Sequence, residues 1–384
     1  MQTHSNRAVM KKILISFLLS SFVLIEGFCP VFPPDRADLL KSDTGRNPLK
    51  WPFSRYSIWN MPVGSGAEYV KAGLERSKSM GMTVDEDIIV LSPGSPMMEI
   101  YKSSAGWDRT KNRCSADGGL LFSAPVPADF IVSPQSWDGL TPNSGLAVLM
   151  PDGRTIKQTQ PFAHCKRGKE ATSGYVFSDE DIYGEGMYGA HGGSGLSAIG
   201  GTLRLGELEP GSGPIRHALK IDVFGKKNLY YDDKTKGFRW PALRADGYAP
   251  GNYGSERESE VAIECRMGAL LALPKWMDLD SLGFETRPGR ILAETFKNYG
   301  AYIVDDTAWD VYAIATEWSP SGRFTDKFQK NWGFPMTEPG KNTPWARDMD
   351  RIFLNLYVVN NNGPHSKGGG GTPLVPLASE ITPP

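Results

Sequence analysis

The chain has 384 residues, with 42 Lys and Arg against 43 Asp and Glu, for a formal net charge of −1 at pH 7. A hydrophobic fraction of 40% is enough to build a core, so disorder is not the default reading. The balanced charge gives no electrostatic argument for nucleic acid or an anionic membrane surface as partner.

Arg7, Lys11 and Lys12 precede the apolar run from Ile13 to Ile25, a positive segment and then a hydrophobic one too short to span a bilayer comfortably. Residues 1–29 therefore read as a signal peptide, and Met10 opens a tighter version of the same signal. The expected location is secreted or periplasmic. Cys29 raises an outer-surface lipoprotein as the alternative, but Phe28 stands where lipid attachment wants a small residue. Cys114, Cys165 and Cys265 remain after cleavage. Export permits disulfides, the spacing leaves their pairing open, and the lack of a C-x-x-C motif argues against zinc or redox chemistry.

Residues 30–57 are proline-rich and charged and read as a linker, followed by one β-rich domain over 58–359. Within it, the spacing predicts a short helix over Ala67–Met80 and a strand over Asp87–Leu91, then two short strands within 118–132. The clearest hairpin runs Leu146–Met150 into Arg154–Phe162 across Pro151-Asp152-Gly153. Neither face of its return strand is strongly apolar, which fits a strand beside a wet cleft or a solvated edge strand. Residues 225–254 read as long aromatic loops. Val261–Leu273 reads as a strand or short helix, and Arg290–Tyr299 as a helix feeding a strand over Ala301–Val304. A strand over Val311–Thr316, a helix over Trp345–Arg351 and a strand over Phe353–Val359 follow. Residues 360–384 are low in complexity and read as a disordered tail. Many short strands, few short helices and Gly/Pro turns predict a mainly β fold of the β-sandwich or jelly-roll kind.

Eight glycines fall between Gly184 and Gly201. They match neither a nucleotide loop nor a serine-nucleophile elbow, which leaves a loop whose backbone approaches a strand or a ligand closely. Beyond them, alternation over Ile215–Val223 places His217 on the mostly apolar face and Arg216, Lys220 and Asp222 on the other. His217 reads either as a buried, satisfied histidine or as a general base. Arg204 reads as a carboxylate binder or as the partner of Glu207 in a structural pair.

The segments SIWNMPVG, SGLSAIGGTLRLGEL, PIRHALKI and AETFKNYGAYIVDD together resemble a group of secreted bacterial proteins that carry no established activity. The resemblance covers about Trp59 to Asp305 in patches. It implies a role for Trp59, Asn60, Arg204, Glu207, His217, Tyr299 and Asp305, without naming their chemistry, and it does not include His191.

The expected function is cleavage of an extracellular polysaccharide or cell-surface glycan, with a slight lean to β-elimination of a uronate. Arg204 and Asn60 would then neutralise the carboxylate, His217 would take the proton and Tyr299 would donate one. A glycoside hydrolase using Glu207 and Asp305 is the alternative. A non-catalytic binding protein, resting on aromatic platforms such as Trp240, Tyr248 and Tyr253, is the third. Trp59, Asn60, His191, Trp240 and Tyr248 are the expected substrate contacts. No metal or cofactor is expected at the site, since His164, His191, His217 and His365 share no ligand spacing. A structural calcium at Asp305-Asp306 or Asp232-Asp233 stays open.

Overall fold

The computed structural model describes residues 46–79, 81–108, 110–132, 143–257, 259–337 and 340–383. The segment expected to be a signal peptide lies outside the described residues. The chain is mainly β with a few short helices, consistent with the sandwich or jelly-roll class, and most of its strands join one large mixed sheet. Among the described residues, no helix is long and apolar enough to cross a membrane.

Four adjacent strands at the centre of the sheet decide where the site sits, in the spatial order Ala301–Asp306, Leu219–Val223, Tyr312–Ser319 and Met82–Val90. The first two run parallel, as do the last two, and the pairs meet antiparallel. One face of this sheet is apolar: Leu219, Ile221, Val223, Ile303 and Ile314 pack with Leu292 and Phe296 of the Arg287–Asn298 helix and Ile352 and Phe353 of the Pro344–Phe353 helix. Both helices start with Pro one or two positions in and a threonine cap, Thr286 accepting from Gly289 N and Thr343 from Ala346 N. The opposite face carries Ala218, Tyr302 and Val304, packed with Trp59, Leu196 and Ile199 from the chain that crosses it. A third core, around Ile88, Val148 and Phe162, fills the other half of the molecule.

The predicted hairpin forms between Leu146–Leu149 and Thr155–Ala163, and its polar return strand is neither an edge nor solvated. Gln158 is fully buried there: its amide oxygen accepts from Ala190 N and Ala198 N, and its nitrogen donates to Tyr188 O and Glu180. Its polarity therefore serves to clasp the glycine-rich segment onto the sheet.

Several expectations fail for reasons of packing. Residues 67–79 are not helical. Tyr69–Lys71 instead adds as a strand to Tyr357–Val359. The strand predicted over Ile215–Val223 begins only at Leu219. Residues 46–57 are no linker, since Phe53 is fully buried and its N–H donates to Ile182 O at 2.7 Å. Nor is the tail loose. Gly64 N donates to Gly368 O, Ser65 N to Thr372 O and Gly66 N to Gly370 O, and Gly368 at φ +67° lies against Pro62 where a Cβ has no space. Glycine richness here allows two backbones to lie together.

Candidate active site

An open cleft of about 1130 Å³ lies above the central strands. The backbone supplies it with carboxylates from three of them. Asp85 comes from Met82–Val90, Asp222 from Leu219–Val223 and Asp305 from Ala301–Asp306, while the strand between carries only Ala313 and Ala315 at that level. Small residues there leave a depression between the acids.

Asp305 reaches this face through an irregularity. Ile221 pairs with Ile303, but Asp222 pairs with Asp305, so Val304 is looped out of register. Without that bulge, alternation would aim Asp305 at the apolar face with Ile303. Asp246 and Asp306 also line the cleft.

The glycine-rich segment forms the inner wall. Asp305 Oδ1 accepts from Gly193 N at 3.1 Å, and a Cβ on Gly192 would land on the Asp305 carboxylate. A Cβ on Gly193 would come within 2.8 Å of both Asp246 carboxylate oxygens. The two glycines thus let the backbone fit between two carboxylates, the close approach the sequence left unassigned.

His191 ends the short Tyr188–His191 strand and is only 2% exposed. Its Nδ1 faces Asp87 Oδ1 at 3.4 Å, and its Nε2 points toward Asp85 Oδ2 at 3.6 Å and Asp222 Oδ1 at 3.8 Å. Asp87 is held from behind by Lys220 Nζ at 2.8 Å and Thr202 Oγ1 at 2.7 Å. Burial and Lys220 oppose charge on His191, but Asp222 and Asp87 outweigh both and lift its pKa to about 10. Burial raises the carboxyls of Asp305 and Asp306. Asp306 is pushed up to about 7, with Asp246 adding to the effect, and Asp305 rises well above the usual range, with Asp246 and Asp222 adding. Burial also raises Asp246, whose Oδ2 accepts from Tyr253 OH at 2.6 Å.

On the outer wall Trp107 and Tyr175 stack, with ring centroids 4.8 Å apart and planes 12° from parallel. Both stay nearly half exposed, 46% each, and both line the cleft.

Of the residues singled out from sequence, the cleft gathers Asp305 and Tyr248 at its surface, with His191 just beneath its floor. A second group is drawn together elsewhere: Trp59, Asn60, Arg204 and His217 surround a cavity of about 10 Å³, room for about one water and none for a sugar. Each of them is hydrogen-bonded there, with Arg204 Nη1 alone left without a partner among these groups. Trp59 Nε1 donates to Gly186 O, Asn60 Nδ2 donates to Pro52 O, and Arg204 Nε reaches Glu317 at 2.7 Å. His217 is 6% exposed, its Nδ1 2.9 Å from Ala218 O and its Nε2 3.1 Å from both Glu207 oxygens. Tyr299 is buried in the core around Trp59, and Trp240 is half-buried against the same core. The Arg204, His217 and Tyr299 set thus has no open cleft in common.

Sequence reasoning missed Asp85, Asp246, Trp107 and Tyr175, and left Asp222 without a role. A usable signal was Asp85 and Asp87 within Asp85-Glu86-Asp87 on one strand and Lys220 and Asp222 on another, charges two positions apart that share a strand face. Cys114 and Cys165 form a disulfide, and Cys265 is buried and free. No family model, curated protein or solved structure matches the chain.

Proposed function

We propose that the chain is an exported hydrolase of neutral glycans in which Asp305 and Asp246 carry the reaction. The observation behind this reading is the carboxyl pair itself, set against consecutive glycines on the floor of an open cleft. Burial first and Asp246 next make ionisation of Asp305 harder, so the pair holds a proton to higher pH than a lone exposed carboxylate does. One member is then equipped to protonate a glycosidic oxygen. The other, ionised, activates water or attacks the anomeric carbon.

The Trp107–Tyr175 stack offers an apolar face of the size of a sugar ring, and Tyr248 extends the wall. Asp222 and Asp85 place further acidic groups beside Asp305, which disfavours a uronate next to the pair, while Arg113, Arg244 and Arg323 also line the cleft. Export rests on the N-terminal charge and hydropathy pattern, and the Cys114–Cys165 disulfide agrees with an oxidising compartment.

The test is a screen of the purified protein on neutral and uronate-containing polysaccharides, following reducing ends and absorbance at 235 nm together. Hydrolysis of neutral glycans gives reducing ends without 235 nm absorbance, and Asp305→Asn lowers the rate by about 100-fold or more. Absorbance at 235 nm from a uronate polymer would replace this reading by elimination. Retention on a glycan column without cleavage would replace it by binding alone.

A further inference from the structure

We propose that Asp85, His191 and Asp222 form a binding site for one divalent transition-metal ion, of the Zn²⁺ or Mn²⁺ class. The inference stands apart from glycan hydrolysis and holds whether or not the neighbouring pair cleaves a sugar.

One ligand atom from each residue, His191 Nε2 and a carboxylate oxygen of Asp85 and Asp222, lies within 4.8 Å of the other two. Ligands bound at about 2.1 Å in a tetrahedral shell stand roughly 3.4 Å apart. The two measured separations from Nε2, 3.6 and 3.8 Å, already approach that value. Closing the set takes side-chain adjustment and no backbone movement.

An acidic cluster alone would say little. The independent observation is His191 Nε2, buried and aimed between the two carboxylates with no hydrogen-bond partner, as is Asp222 Oδ1 opposite it. Buried polar atoms are rarely left in that state. The other ring nitrogen is oriented as metal-binding histidines require: Nδ1 faces Asp87, which Lys220 and Thr202 fix in turn. A carboxylate behind the histidine sets the tautomer that leaves Nε2 free to coordinate. Asp87 is thus a positioning residue.

Donor chemistry selects the ion. One imidazole nitrogen with two carboxylate oxygens suits Zn²⁺ or Mn²⁺, whereas Ca²⁺ takes six to eight oxygens. The side chain of Asp85 is 38% exposed toward the cleft, which provides the entry path and leaves remaining positions open to water. A divalent ion set among Asp85, Asp222 and Asp305 also offsets the crowding of their carboxylates.

The test uses chelator-treated full-length mature protein titrated calorimetrically with ZnCl₂, MnCl₂ and CaCl₂, with melting temperature read in parallel. One equivalent of Zn²⁺ or Mn²⁺ is expected to bind and raise Tm, with Ca²⁺ at least tenfold weaker. Asp85→Asn and Asp222→Asn are near-isosteric, and each trades relief of carboxylate crowding against lost support for His191, so both should fold with a metal-free Tm within a few degrees of wild type. Each should weaken metal binding by about 100-fold and abolish the metal-dependent rise in Tm. Absence of stoichiometric binding to wild type, a preference for Ca²⁺, or binding that survives both substitutions would each overturn the assignment.

Discussion

The Lys220 ammonium lies 2.8 Å from Asp87 Oδ2, with both side chains almost wholly removed from solvent. Lys220 Nζ also donates to Ser197 O at 2.9 Å, so one buried cation ties the central sheet to the glycine-rich segment. Burial is the largest influence on Asp87 and works against its charge, but Lys220 and His191 outweigh it and hold the carboxyl below the usual range. Breaking such a pair from one side leaves an uncompensated charge, which costs about 3–5 kcal/mol. Lys220→Met should therefore lower unfolding free energy by that amount in urea denaturation. Adding Asp87→Asn should recover much of the loss. A loss under about 1 kcal/mol in the single variant would contradict the buried pair.

The second prediction concerns pH. Burial opposes charge on His217, but Glu207 outweighs it, so the folded-state pKa lies above the reference value of 6.5. A raised histidine pKa contributes stability that is fully present below the unfolded value and lost as pH rises through the folded one. Tm should accordingly fall as pH rises from about 6.5 into the alkaline range. Glu207→Gln should flatten that fall. Because His217 and Glu207 lie outside the cleft, the same variant should keep glycan cleavage within about twofold. An unaltered Tm profile would show that the pair has no such linkage.

The third prediction uses a single methyl group. Gly192 has no left-handed backbone requirement, so alanine there introduces no conformational strain. Its Cβ would nevertheless fall on the Asp305 carboxylate. Displacing that group lets it move away from Asp246 and Asp222, which offsets part of the steric cost. Gly192→Ala should thus reduce glycan cleavage by about 100-fold while Tm falls by only a few degrees. Full activity in this variant would remove Asp305 from the reaction.

Local pattern identified the parts of the fold whose signals are local. Pro151-Asp152-Gly153 fixes a hairpin wherever it sits, and the apolar spacing of Ile291, Leu292, Thr295 and Phe296 with Gly300 behind it marks a helix end. Polar strands were harder to place. Thr155–Ala163 looks solvated in isolation, because nothing in its sequence indicates that Gln158 meets the backbone of residues 190 and 198. The motif residues around Trp59, Arg204 and His217 do come together, yet their shared cavity holds about one water. Dense hydrogen bonding made a structural joint look like a site.

The sequence by itself determined a mainly β chain and the charged alternation of Lys220 and Asp222 along one strand. It also marked His191 and Asp305 as residues able to do chemistry. Only the tertiary structure decided that Asp305 lines a cleft and that His191 lies just beneath its floor. Asp305 faces Asp222 because Val304 leaves the strand register, a shift that simple alternation predicts in the opposite sense. His191 meets Asp85 and Asp222 across more than a hundred and about thirty residues of chain, a distance over which side-chain spacing carries no information. The glycines from 184 to 201 announce only close approach, and it took the folded sheet to show that Gly192 and Gly193 approach a pair of carboxylates while Gly186 meets Phe53, Gly189 meets Gln158 and Gly200 meets Trp59.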